Sequence, residues 1–250
     1  MPVISIVTAV VAGKERYIRQ TYDSLADQKM PDGWSWQWLV QEDGLTGLPA
    51  AELPDDDPRI STGMGRQGRA AMARTVAMER ATGDLIRALD ADDLLPPWAL
   101  AQDIRNLVDH PDHAWTVSPA LDLLPDNSYA PGPYDPPPGT LPPGFLADGE
   151  ENDHLQVVGT TCCTYTALAH ALGGWQAMPG GEDVAFMLSC EAVGRGWMAA
   201  EPGLYYRKWP GSTTGDLTFA GAEEALIWRR LMLQRARALA ATGWTWRSHD

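Results

Sequence analysis

The chain has 250 residues, 44% hydrophobic and 21% charged, with 33 acidic against 19 basic side chains for a formal net charge of −14. This is enough apolar material for one sizeable domain and excludes a disordered chain. No cluster of Lys and Arg is available to displace the counterions of a phosphate backbone, and no run of about 20 apolar residues could cross a bilayer, so neither nucleic acid nor membrane insertion is expected.

Val3 to Val11 is apolar and β-branched, the composition of a strand buried on both faces of a parallel sheet. Only Met1 and Pro2 precede it, without a basic segment or cleavage site, so it reads as a strand and not as a signal peptide. Cys162, Cys163 and Cys190 form no CxxC pair, which favours a reducing, cytoplasmic compartment. Tyr17, Ile18, Tyr22 and Leu25 fall at helical spacing, and Trp34, Trp36, Trp38 and Val40 alternate as one face of a second strand. Leu45 to Pro58 reads as a loop, Arg59 to Thr62 as a short strand, and Ala70 to Ala81 as a helix stopped by Gly83. Leu85 to Leu89 is a further strand running into Asp90, Ala91, Asp92 and Asp93. Pro96 and Pro97 can open a helix containing Leu100, Ile104 and Leu107. Alternating strands and helices predict a mostly parallel α/β sheet that binds ligands at the carboxyl ends of its strands, where Asp43 and the Asp90 cluster both fall.

Pro125 to Pro143 holds too many prolines for a hydrogen-bonded ladder and reads as a long loop, of the kind that is usually functional or mobile. Val157 to Tyr165 reads as a strand, Ala167 to Leu172 as a short helix, and Asp183 to Val193 as a helix ended by Gly194. Ala220 to Ala241 places Glu223 and Glu224 early and Arg229, Arg230, Arg235 and Arg237 late, as a helix dipole prefers. This last helix could cap the domain or pair with a second copy.

Three carboxylates within four residues at a strand end are costly unless a cation or donors neutralise them. Hard carboxylate oxygens suit Mg²⁺ or Mn²⁺; the bland alternative is that Asp92 or Asp93 caps the following helix. Glu182 and Asp183 open a helix after Pro179, Gly180 and Gly181. They are either ordinary first-turn acids, or a general base held ionised at a helix N-terminus. His110 and His113 have a spacing that could hold a metal, but they flank Pro111 in a polar stretch without nearby cysteines, which argues against a ligand role; Trp34, Trp36 and Trp38 read as core. Trp175, Trp209 and His154 lie near motifs and are candidates for contacting an acceptor. Arg66 and Arg69 either touch a diphosphate or are solvated.

These residues carry a resemblance running from about Val3 to about Thr214. The first strand with Ile4, Ser5, Ile6 and Val7, then Glu42, Asp43, Gly44, then Gln67, Gly68, Ala73, Arg74, then Leu89 to Asp93, then Gly173, Gly174, Trp175, then Glu182, Asp183, and finally Tyr206, Arg207, Gly211, Ser212 look like the family 2 glycosyltransferases of GT-A fold. The resemblance implies a mixed, mostly parallel central sheet flanked by helices, with a C-terminal helix. A catalytic domain would span 1–216, divided into a nucleotide-sugar half over 1–95 and an acceptor half over 96–216 that includes a Pro-rich loop at 125–148, with a helical extension over 217–250. It implies transfer of a sugar from a nucleotide-diphosphate donor, a UDP-sugar, to a small-molecule or oligosaccharide acceptor with inversion, assisted by Mg²⁺ or Mn²⁺. Asp43 then resembles the acid that binds the donor base and Arg74 the arginine near base and diphosphate, with Thr8, Ala9 and Ala91 also lining the donor. Asp90 and Asp92 resemble the DxD pair, near the ribose and on the metal, Asp183 the catalytic base and Glu182 the acid that holds the acceptor.

Three places differ from the family's usual pattern: Ala9 to Gly13 replaces a Pro-x-Tyr-Asn-like segment, Trp209 stands where many members carry a histidine, and Glu42 precedes Asp43 where aspartate is common. Two other classes fit less of the sequence. A sugar-phosphate nucleotidyltransferase would want a Gly-rich triphosphate loop after the first strand, where Val10 to Lys14 supplies one glycine and one lysine. A non-catalytic nucleotide-sugar-binding module would leave the acids purely structural.

Overall fold

The computed structural model describes residues 1–132, 135–209 and 222–247. Gly211, Ser212, Thr214 and the boundary at 216–217 lie outside the described residues. In chain order the strands are β1 (Val3–Val10), β2 (Ser35–Asp43), β3 (Ile60–Gly65), β4 (Leu85–Ala88), β5 (His113–Val117), β6 (Ala120–Leu123), β7 (Tyr129–Pro131), β8 (Gly139–Thr140), β9 (Cys163–Tyr165), β10 (Arg195–Met198) and β11 (Leu204–Arg207). The helices are α1 (Glu15–Ala26), α2 (Leu48–Ala51), α3 (Arg69–Ala77), α4 (Ala99–Val108), α5 (Phe145–Glu151), α6 (Thr166–Ala171), α7 (Glu182–Val193) and α8 (Ala222–Ala241).

Among the described residues the main sheet runs β3-β2-β1-β4-β9-β5-β10-β8, and a small sheet runs β11-β6-β7. β3, β2, β1 and β4 are mutually parallel, as the alternating pattern predicts; β9 enters antiparallel to both β4 and β5 and makes the sheet mixed. Side-chain alternation divides the core between the two faces of the sheet. Ile4, Ile6, Trp36, Trp38 and Leu85 pack with Ile18, Leu25, Leu100 and Ile104 on one side. Val7, Leu39, Ile86 and Ala88 pack on the other with Leu168, Phe186, Leu188, Trp228 and Met232. Adjacent Cys162 and Cys163 fall into these opposite cores, as their spacing requires.

The sequence reading departs from the structure where short elements depend on distant partners. The Pro-rich stretch contains β7 and β8 at sheet edges, the position where a strand tolerates proline, and its far end folds as α5. The segment read as a strand over 157–165 is extended only at β9, because Gly159–Thr161 forms a 3-10 turn. The 45–58 loop contains the single turn α2. A fully buried ion pair joins Arg87 of β4 to Asp103 of α4 at 2.5 Å, and Arg87 also approaches the carbonyl oxygen of Thr160 at 3.4 Å. One cation thereby ties the central strand both to α4 and to the turn beneath α7.

Candidate active site

β4 ends at Ala88 and the chain turns through Asp90–Asp93, with the Asp93 N–H donating to the Asp90 carbonyl at 3.2 Å. The three carboxylates take three different partners. Asp90 accepts from Arg74 of α3. Asp92 Oδ2 accepts from Lys14 Nζ at 3.1 Å and from Trp209 Nε1 at 3.2 Å. Asp93 Oδ1 accepts the Arg207 backbone N–H at 2.8 Å, while its Oδ2 is buried without a hydrogen-bond partner among the described residues. Arg207 Nε also donates to the Asp92 carbonyl at 2.6 Å, so β11 grips the turn from the side. Loss of solvation pushes Asp90 and Asp93 above the ordinary carboxylate range, and neighbouring aspartates add to it; Arg74 opposes the rise at Asp90. Neither Asp92 nor Asp93 caps the next helix, whose N-cap is Trp98 with no side-chain cap bond.

The second acid pair comes from the start of α7. Gly181, in the left-handed region at φ 71°, turns the chain into the helix and sets Glu182 and Asp183 in its first turn. Glu182 Oε1 accepts from Arg74 Nη1 at 2.5 Å. Arg74, 2% exposed, thus lies between the Asp90–Asp93 turn and the α7 acids. This changes the role expected for it: its guanidinium is committed to two carboxylates and does not stand free beside a base or diphosphate. Asp183 Oδ1 accepts the Val184 N–H at 2.9 Å. Burial and then Glu182 raise its pKa, against the pull of Arg74; the helix terminus alone had suggested an ordinary ionised acid.

Other expected residues are placed differently. The Thr8 side chain is buried and its Oγ1 accepts from Trp38 Nε1 at 2.8 Å. Ala91 is in the core, and Ala9 is half-buried at the carboxyl end of β1. Asp43 accepts the N–H groups of Gly68 at 2.6 Å and Arg69 at 3.0 Å, fixing the turn into α3. Trp175 is 3% exposed and stacks on Phe186, so it is core and not a ring platform for an acceptor. Trp209 donates to Asp92 Oδ2 and its ring centre lies 5.7 Å from that of Tyr17. His154 is exposed and lines a surface cavity of about 300 Å³ with Pro142, Phe145, Asp148 and Asn152. Arg69 donates to the Pro179 carbonyl at 2.7 Å, and Arg66 is exposed. His113 bridges Asp112 and Thr140, and His110 stacks on Trp197, so this pair is structural.

Two residues of the site were not singled out in the sequence. Lys14 was visible only as the lone cation after the first strand. Gly159 gave no signal: an added Cβ would lie 2.6 Å from Asp183 Oδ2, so its bare backbone makes room for that carboxylate. The donor set suits Mg²⁺ or Mn²⁺, since Asp92 presents a hard oxygen already facing a cation, Asp90 lies two residues away, and these ions need only one or two protein carboxylates. The Trp209 indole N–H has no lone pair to offer a metal, and among the described residues no three His, Cys, Asp or Glu side chains converge as a cage.

The model of the family described as "Glycosyl transferase family 2" matches residues 5–166. The O-antigen biosynthesis protein RfbC of Myxococcus xanthus is 31% identical over 106 residues, which is 40% of this chain and 8% of that protein. The crystal structure of S. aureus TarS 1-349 in complex with UDP-GlcNAc is similar with a TM-score of 0.71 at 16% identity, over 97% of this chain and 71% of that one. The same fragment in complex with UDP gives 0.68, also at 16% identity, over 94% and 65%. This chain therefore spans a small part of the curated relative and about two thirds of the solved fragment. Among the described residues no helix is long and apolar enough to cross a membrane.

Proposed function

Because the chain belongs to glycosyl transferase family 2 and has a GT-A-like fold, we propose that it transfers a sugar from a UDP-sugar to a hydroxyl or amine of a small-molecule or oligosaccharide acceptor, with inversion. The observation that carries this reading is the Arg74 bridge. One buried guanidinium binds Asp90 just past β4 and Glu182 at the start of α7, so the acids suited to a donor and the helix start that carries Asp183 are held side by side. The donor identity is supported by the UDP-GlcNAc and UDP complexes of the structurally similar TarS fragment.

In this mechanism Asp183 accepts the acceptor's proton as the acceptor oxygen or nitrogen bonds to the anomeric carbon. The bond from that carbon to the diphosphate oxygen breaks, and UDP leaves with the electron pair. A single base on the face opposite the leaving group is sufficient for inversion. A pKa raised above the ordinary carboxylate range makes Asp183 a stronger base once ionised. Glu182, anchored by Arg74, is positioned to hold the acceptor. Asp92, with Asp90 beside it, would hold Mg²⁺ or Mn²⁺, which supplies positive charge to the diphosphate as it departs. Residues 1–95 would supply the donor side and 96–216 the acceptor side, with His154 and the cavity beside α5 at its margin. Three free, buried thiols support a cytoplasmic setting, and the outward residues Leu226, Ile227 and Leu231 of α8 are where a second copy would pair.

A panel of nucleotide-sugars screened for release of nucleoside diphosphate tests the proposal. Turnover of one UDP-sugar, lost in Asp183→Asn, is expected; UDP binding that never leads to turnover would indicate a binding module instead. Asp92→Ala should abolish Mn²⁺-dependent UDP binding in calorimetry, and unchanged affinity would remove the DxD assignment.

A further inference from the structure

Lys14 is the last residue before α1, at the carboxyl end of the strand beside β4. Its Nζ lies 3.1 Å from Asp92 Oδ2, in a pair whose side chains are 24% and 13% exposed. It also stands 5.6 Å from the centre of the Trp209 ring, and the Trp209 N–H donates to the same carboxylate oxygen. Arg16 covers the other side of the aromatic pair, 5.1 Å from Trp209 and 4.7 Å from Tyr17. The carboxylate assigned to the metal is thus held by an ammonium on a flexible four-carbon stem, steadied by an aromatic wall. Arg74 differs: it is locked between two acids at 3% side-chain exposure and cannot swing away from them.

Asp92 Oδ2 already accepts from both Lys14 Nζ and Trp209 Nε1, which uses its two lone pairs, so a divalent cation reaching this oxygen must displace a donor, and the ammonium is the one that it repels. Resting on the proposed donor chemistry, we infer that Lys14 is an exchangeable counter-cation. It neutralises Asp92 when the site is empty, and moves to the donor's diphosphate when the divalent ion takes Asp92. Two consequences follow. Lys14 competes with the metal in the absence of nucleotide, and it assists the metal in the presence of nucleotide. Binding of metal and nucleoside diphosphate is therefore cooperative, with Lys14 as the positioning residue that couples them.

Calorimetry on the full chain separates this role from a merely structural one. Mn²⁺ alone and UDP in saturating Mn²⁺ are titrated into the wild type, Lys14→Met, Lys14→Gln and Lys14→Arg. Removing the charge should tighten Mn²⁺ alone by about tenfold and weaken UDP with Mn²⁺ by about tenfold, two changes of opposite sign. Lys14→Arg should keep most of the UDP affinity. Affinities that fall together, or a Mn²⁺ affinity unchanged in both neutral variants, would overturn the inference. A wild type that turns over UDP-sugar while its neutral variants leave Mn²⁺ affinity unchanged would sink this inference alone. A wild type that binds neither Mn²⁺ nor UDP would instead sink the functional reading beneath it.

Discussion

At the scale of single residues, the site works by making one cation answer for two acids. Arg74 is buried, with Glu182 largely covered and Asp90 partly exposed, and removing it would leave both carboxylates without their counter-charge. Arg74→Met should therefore cost about 3–5 kcal/mol of stability in denaturant titrations, far more than a surface ion pair. Asp183 is raised by burial and by Glu182, and as the proposed base it must be ionised. As pH falls through that raised value the base protonates, so the acid limb of kcat/KM should lie above the ordinary carboxylate value of about 3.9. Asp183→Asn should reduce kcat by about two powers of ten or more and leave UDP affinity nearly unchanged; equal losses in both would make Asp183 a structural acid.

Among the elements, the 3-10 turn at Gly159–Thr161 is decisive although it supplies no reacting group. It is held from below by Arg87 of β4 and passes against the first turn of α7. A methyl at Gly159 would meet Asp183 Oδ2 at 2.6 Å and the Asp183 carbonyl carbon at 3.0 Å, closer than a carbon can sit without displacing something. Gly159→Ala should lower kcat by about tenfold while UDP affinity holds, because a base displaced by a fraction of an ångström loses its alignment. Steady-state kinetics beside UDP titration checks this. Gly173 and Gly174 follow α6 with positive φ, the local signature of a helix stop. Gly159 had no such signature, because its constraint comes from a side chain 24 positions away.

The whole molecule is organised so that α8 belongs to the core. Trp228, Met232 and Leu233 are buried against α7 and α5, and Arg229 pairs with Glu150 and Asp153. Met232 also packs beside the turn into α7, its terminal methyl lying 3.0 Å from where a Cβ on Gly181 would be. Leu233→Ala and Met232→Ala should each cost about 2–4 kcal/mol, measured by thermal or denaturant unfolding, whereas a loosely attached extension would show almost no loss. The sequence by itself determined the order of strands and helices over the first hundred residues, the core tryptophans at 36 and 38, and the acids that end β2 and β4 and open α7. These rest on periodicities and chain turns that are local. It did not determine that β9 enters antiparallel, that Trp175 is core, that Arg74 joins two acid motifs, or that Lys14 meets Asp92. Those contacts join segments remote in sequence, and only the packing of the sheet and helices brings such groups within a few ångströms of each other.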